Sequence, residues 1–465
     1  MDVREVPAEE PVARVKWIRR VGRAGVVGGP ARPLGVVAVL FGAVALVLVP
    51  PWLALGWDEI VYVSRWDAFG PATPFSAPRS RGVPLLVAPV AAVTDSVVAL
   101  RCYLAVTASL ALYWGFRPWV GEFTSRAAVP VAAGAYGSLW FALFYAGSAM
   151  PNHYVAMAAV AAVGCARRNL WLGLAAAVAV AGLMRATDAL FLALPLLLSA
   201  WRRPRTLSAV LVGLAAGVGP WVVEAQRRFG GVRERLAEAS EIQGGTDWTF
   251  SLFKHATALD GPLLCRPCEG DPMAWQLLVW WLLLPPLVAL GLYAARRQVG
   301  LLVVTAASMS FTYLFLIDYA AARFLLPVYA LLALPAVLGL ERFTSHLSSP
   351  AAATLLVAIV AGQLALQLTV LRGHARIQED ARADWDRVAG VLRDEGVGPP
   401  CVLDGPQAIP VAHTLGCTTA GPGQSPPDAT VLRGDDDPGP AAGGRTVDVP
   451  GTYNADWRVV VPATR

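Results

Sequence analysis

Leu55-Gly56-Trp57-Asp58-Glu59-Ile60-Val61-Tyr62 follows directly on an apolar run, Leu34–Leu55, and its reading decides the fold. About twenty apolar residues suffice to cross a bilayer's hydrocarbon core as a helix. Two adjacent carboxylates at the mouth of such a helix are costly to hold there unless they reach water or a partner. Asp58 and Glu59 therefore mark a place where the rest of the chain must supply solvent, cations or a substrate.

Composition agrees with a membrane setting. The 465 residues are 56% hydrophobic and only 15% charged, with a mean hydropathy of +0.52. A soluble domain is nearer one quarter charged. A net charge of +5 would suggest nucleic acid in a soluble protein. Here the basic residues fall in short loops between apolar runs, so membrane orientation accounts for them and no nucleic-acid partner is expected. The first run lacks a small-residue cleavage site and ends in Pro50-Pro51-Trp52, so it reads as a retained span.

Working outward, residues 1–33 form a basic cytoplasmic leader with Arg4, Arg14, Lys16, Arg19, Arg20, Arg23 and Arg32. About eleven spans are expected. They are Leu34–Leu55, Ser96–Phe116, Ala127–Ala146, Pro151–Ala166, Leu170–Met184, Ala189–Trp201, Leu207–Val223, Ala274–Ala294, Gly300–Ile317, Phe324–Leu340 and Ala351–Leu371. Gly82–Val93 is too short to cross and reads as an interfacial helix. With the N-terminus inside, Arg117, Arg126, Arg167, Arg168, Arg202, Arg203, Arg205, Arg296, Arg297 and Arg342 all fall on the inner side. The same count puts the loops 56–82 and 224–271 and the C-terminal tail outside. The body is thus an all-α polytopic bundle over 34–371, N-in and C-out.

From 372 to 465 the apolar runs shorten while Asp, Gly and Pro rise, as in a small extracytoplasmic α/β domain. A helix carries Trp385, Val388, Val391 and Leu392. Cys401–Leu403, Val447–Val449 and Trp457–Val461 read as strands, Gln407–Leu415 as a second helix, and Gly421–Gly444 as a flexible loop. Cys401 with Cys417, and Cys265 with Cys268, fall on the outer side, where disulfides persist. Zinc at the Cys265–Cys268 pair would need two more ligands, and only His255 is near.

The ionisable residues collect at one depth. Asp95 and Arg101 lie near the outer end of the second span, His153 at the junction before the fourth, Arg185 and Asp188 between the fifth and sixth. Asp318 and Arg323 flank the junction of the ninth and tenth. Singly, each reads equally well as an end-of-helix charge reaching the headgroups. Together, level with Asp58 and Glu59, they outline a polar cavity opening outward. Arginines can hold a phosphate in bidentate fashion, and a carboxylate can take a proton from an attacking hydroxyl. Both are needed to transfer a sugar from a polyprenyl phosphate.

At these residues the sequence resembles the GT-C glycosyltransferases, and most closely their protein O-mannosyltransferases and lipid A aminoarabinose transferases. Leu55–Tyr62 is similar to their acidic first-loop motif. Ala322-Arg323-Phe324-Leu325-Leu326-Pro327-Val328-Tyr329 is similar to their Arg-(Tyr/Phe)-x-x-Pro segment. The resemblance implies Asp58 as catalytic base, Glu59 as its catalytic neighbour and Arg323 on the lipid phosphate. Tyr62, Arg81, His153, Arg185, Asp188, His255 and Asp318 complete the expected substrate-binding set. The implied partners are a polyprenyl-phosphate sugar donor, membrane lipid, and a glycan, lipid or protein acceptor. Some branches of the superfamily place a divalent cation at the acidic loop, so that cofactor is open. Other readings of the same residues also stand. Arg323 could pair with Asp318 merely to join two spans, His255 could belong to an ordinary interfacial loop, and Tyr62 could be a belt aromatic. A flippase of a lipid-linked precursor and a non-catalytic assembly protein are the alternative functions.

Overall fold

The computed structural model describes residues 31–261, 263, 275–345, 349–420, 427–437 and 443–462. The Cys265–Cys268 pair lies outside them. The helical body runs α1 (Arg32–Leu48), α2 (Trp57–Val63), α3 (Gly82–Ala91), α4 (Val97–Phe116), α5 (Ala128–Gly137), α6 (Trp140–Ala146), α7 (Asn152–Arg168), α8 (Trp171–Met184), α9 (Ala186–Ala200) and α10 (Pro204–Arg228). It continues through α11 (Val232–Ile242), α12 (Leu252–Thr257), α13 (Trp275–Phe315), α14 (Leu326–Thr344) and α15 (Ser349–Asp394).

Among the described residues, five helices are long and apolar enough to cross a membrane, or six if α5 and α6 form one broken span. Four further apolar helices, α1, α3, α8 and α9, are shorter. The chain is a polytopic helical membrane protein. Large apolar side chains such as Val39, Val47, Leu172 and Leu198 are well exposed on it, where hydrocarbon replaces water as solvent.

Four expected spans differ in detail. The first stops at Leu48 instead of reaching Leu55, because the residue before a proline is pushed out of the helical region and the ring lacks an N–H. The extended segment after Pro50-Pro51 leaves its carbonyls free for side chains. The third is broken: α5 and α6 meet at 79° around Ser138 and Leu139. The eighth and ninth are joined in α13 with a kink at Ala295, where φ is −140° and ψ 35°. α13 packs on α14 through Gly291 and Gly339, where an added Cβ would collide with the Pro335 and Leu287 carbonyls.

The loop expected over 224–271 carries α11 and α12. α15 runs without a break through position 372, where the composition changes. Its 46 residues span roughly 70 Å at the α-helical rise, far more than a bilayer's apolar thickness. Its C-terminal half carries the small α/β unit, built from β1 (Val402–Asp404), α16 (Ala408–Leu415), β2 (Thr418–Thr419), β3 (Ala429–Arg433), β4 (Arg445–Asp448) and β5 (Trp457–Val461). The sheet order is β2-β1-β3-β5-β4. β1 pairs parallel to β2 and β3, and β5 antiparallel to β3 and β4. β3 is a correction: it lies within the stretch expected to be a flexible loop, and its Ala429, Val431 and Leu432 are buried at the centre of the sheet. Cys401 and Cys417 form a disulfide. Buried Asp384 of α15 clamps the sheet, accepting bonds from the Tyr453 and Asn454 amides at 2.7 and 2.9 Å and from Trp457 Nε1 at 3.2 Å.

Candidate active site

Asp58 and Glu59 open α2 side by side and face different surroundings. Glu59 is enclosed, with its side chain 4% exposed. Arg101 of α4 meets it with both fork nitrogens, Nη1 to Oε1 at 2.6 Å and Nη2 to Oε2 at 3.0 Å. The Ala149 amide adds 2.8 Å to Oε1 and the Gly56 amide 2.7 Å to Oε2. Arg382 of α15 approaches Oε2 at 3.5 Å. Burial would raise this carboxyl, but the Arg101 charge and hydrogen bond outweigh it and hold it below the ordinary range. Arg101 also donates to the Leu53 and Ala54 carbonyls, freed by the Pro50 break, and to Gly147. Arg382 donates to Ala54 as well. Glu59 therefore ties α2, α4, the 147–149 turn and α15 together. Its lone pairs are taken, which corrects the expectation that it shares the catalytic role.

Asp58 keeps an open side, at 38% exposure. Arg79 Nη2 lies 2.6 Å from Oδ1 and Arg323 Nη2 3.3 Å from Oδ2. Burial would raise this carboxyl too. The charges of Arg79 and Arg323 prevail, with Arg185 adding to them, so it stays ionised at neutral pH. Arg323 is 9% exposed and is fixed by donating from Nη1 to Tyr145 Oη at 3.0 Å and to the Leu263 carbonyl at 2.9 Å. Thus Arg323 pairs with Asp58 and not with Asp318. Asp318 turns outward to Lys254 Nζ at 2.5 Å and Thr249 Oγ1 at 2.7 Å, and the Lys254 bond lowers its carboxyl.

The other expected residues divide. Arg185 joins the site. It lies over the rings of Tyr313 and Phe324 at 5.4 and 5.6 Å, and Asp188 is 4.0 Å away. Among the described residues its guanidinium has no closer anion. Asp188 is buried and accepts from Tyr313 Oη at 2.8 Å, so it anchors Arg185 from behind. Tyr62 is buried beneath Arg79, 5.7 Å from its guanidinium, and burial pushes its hydroxyl up. Arg81 is turned to Glu224 at 3.0 Å.

Two histidines are corrections. His153 is 1% exposed inside the bundle, bonded to Tyr136 Oη and the Ala108 carbonyl, both at 3.0 Å. His255 is buried against the Tyr313 carbonyl at 3.1 Å, and burial pulls its ring down to about 4, so it stays neutral. Neither reaches Asp58. His153 was expected there for its depth along the chain and His255 for its place in the large outer loop, and neither fixes which way a side chain points.

The sequence reading missed Arg79, Tyr145 and Arg382. A shared depth could not flag them: Arg79 lies in a Ser- and Pro-rich loop, Tyr145 in an aromatic run, and Arg382 in a polar helix. A divalent ion does not fit the donor set. Asp58 and Glu59 each face arginines, and among the described residues no three His, Cys, Asp or Glu side chains are placed to share a metal.

The overall arrangement shares its fold with solved structures of ArnT, a GT-C membrane glycosyltransferase. ArnT from Cupriavidus metallidurans, solved bound to undecaprenyl phosphate, superposes with a TM-score of 0.62 at 14% identity, over 93% of this chain and 98% of that one. Its apo form gives 0.63 at 13%, over 92% and 96%. This bears out the likeness to the lipid A aminoarabinose transferases, at the level of fold. No protein-family pattern and no curated protein sequence matches the chain.

Proposed function

We propose that the protein is a glycosyltransferase that moves a sugar from a polyprenyl-phosphate donor to an acceptor at the outer face of the cytoplasmic membrane. One observation carries the reading. A half-open carboxylate, Asp58, is held between arginines from a loop and a distant helix, and a further cation, Arg185, anchored by Asp188 at 4.0 Å, adds its charge to the same carboxylate. The fold shared with ArnT, whose structure holds undecaprenyl phosphate, supports the same donor class. Eleven crossings, with the loops 56–82 and 224–271 and the unit from 372 onward outside, would set this site at the outer boundary.

In this mechanism Asp58 takes the proton of the acceptor hydroxyl as its oxygen attacks the anomeric carbon. The bond from that carbon to the phosphate oxygen breaks, and the electron pair leaves with the polyprenyl phosphate. Attack opposite the leaving group inverts the centre. The leaving phosphate needs cations more than a general acid, and Arg323 with Arg185 supplies them. Arg323 grips Asp58 by one bond at 3.3 Å, longer than the 2.6 Å bond from Arg79. An arriving phosphate can draw Arg323 away, and the loss of that cation raises the basicity of Asp58 when the donor is in place.

Mass spectrometry of lipid co-purified with the full chain tests the donor class. The reading expects polyprenyl phosphate or its glycosylated form, displaced when Arg323 is substituted. Only ordinary phospholipids, with no binding of added polyprenyl phosphate, would refute it.

A further inference from the structure

Arg65 follows α2 in the same loop as Asp58, and although it is only half-buried, two of its donors lack what enclosed donors normally have. Its Nε and Nη2 are closed from solvent, and among the described residues neither has a hydrogen-bond acceptor. Such orphaned donors are rare, because each has given up water for nothing. The guanidinium lies over Phe75 at 5.7 Å, and Arg81 lies over the same ring at 3.9 Å. Arg81 Nε donates to Glu224 Oε1 at 3.0 Å, and Arg228 approaches that oxygen at 3.8 Å. Arg235 Nη2 lies 3.2 Å from the other Glu224 oxygen, which accepts no hydrogen bond among the described residues, and Arg235 is itself fully buried on the Ala77, Trp221 and Arg79 carbonyls.

Three guanidinium groups thus lean on one carboxylate, with Glu238 acting on Arg235 only at longer range, while Arg65 shares the Phe75 ring with Arg81 and has no carboxylate of its own among the described residues. Burial, and then the charges of Arg81, Arg228 and Arg79, depress the Arg65 guanidinium, as expected for cations crowded without an anion. The cluster opens to solvent through Arg228, whose side chain is 64% exposed. Arg79 separates it from the Asp58 pair: its side chain faces Asp58 while its carbonyl accepts from Arg235.

We propose that Arg65, Arg81 and Arg228 form a second oxyanion site that takes a phosphate-bearing ligand, separate from the site at Asp58 and Arg323. Planar forks carrying unused donors match the oxygens of a phosphate in a way a lone ammonium would not. The site stands on the cluster alone and does not depend on the transferase reading.

Calorimetric titration of the purified full chain at constant ionic strength tests this with two probes, inorganic phosphate and dihexanoyl phosphatidic acid. Arg323→Gln combined with Arg185→Gln removes the other cation site, so phosphate binding that persists in this double variant belongs to the Arg65 cluster. Adding Arg65→Gln to it should weaken that binding at least about tenfold, the scale of a charge-assisted hydrogen-bond pair. Arg65→Lys should lie between. Arg228→Gln, at a position whose side chain is 64% exposed, should also weaken it and decides the matter if Arg65→Gln does not fold. Tighter binding of phosphatidic acid than of phosphate would identify a lipid-borne ligand, and equal binding a soluble one; both support the site. No phosphate-probe binding in the Arg323→Gln, Arg185→Gln double variant, or wild-type affinity after loss of Arg65 or Arg228, would overturn it.

Discussion

Arg101 meets Glu59 through both fork nitrogens, at 2.6 and 3.0 Å, across 42 residues of sequence. The neighbouring carboxylate of Asp58 shares none of these partners. Two adjacent acids therefore do two jobs: Glu59 fixes the loop, and Asp58 keeps a side open.

Glu59→Gln should act through stability. Removing one partner of a buried pair leaves Arg101 and Arg382 uncompensated, at a cost of about 3–5 kcal/mol. Thermal unfolding in detergent should show a large drop in midpoint, and an unchanged midpoint would mean the clamp is not structural. The pH dependence has a definite sign. The folded-state carboxyl of Glu59 is depressed, so its stabilisation is full above the ordinary glutamate value near ~4.3 and is lost as pH falls through the lower folded value.

His153→Leu separates burial from catalysis. It leaves the Tyr136 hydroxyl without its partner, costing about 1–3 kcal/mol of stability. Donor affinity and turnover per folded molecule should not change. A loss of donor affinity at full folding would return His153 to the site.

Arg323→Lys should weaken donor binding at least about tenfold, because an ammonium cannot make the fork's parallel bonds to a phosphate. Titration with polyprenyl phosphate measures this. Equal affinity would make Arg323 a structural partner of Asp58 only.

How far the sequence carried these conclusions depends on what each residue's position encodes. Apolar length set the polytopic helical body, which the ArnT-like fold bears out. Asp58 and Arg323 stood out because ionisable groups are expensive at helix mouths. Their pairing did not, since Asp318 lies five residues from Arg323 and Asp58 lies 265 away. Arg79, Arg382 and Arg65 were invisible for the opposite reason: arginines in polar stretches carry no cost that a sequence displays. β3 was hidden between Pro- and Gly-rich flanks, because its five residues gain their strand conformation from pairing with β1 and β5 and not from local propensity.

The most direct test is sugar transfer by purified Asp58→Asn protein. The substitution keeps the shape, removes the proton acceptor and leaves the Glu59 clamp untouched. With a polyprenyl-phosphate sugar donor and the acceptor-containing membrane extract, release of polyprenyl phosphate should fall by about a hundredfold or more, the usual scale of a lost general base, while donor binding and the unfolding midpoint stay near wild type. Transfer at the wild-type rate by folded Asp58→Asn would contradict the account.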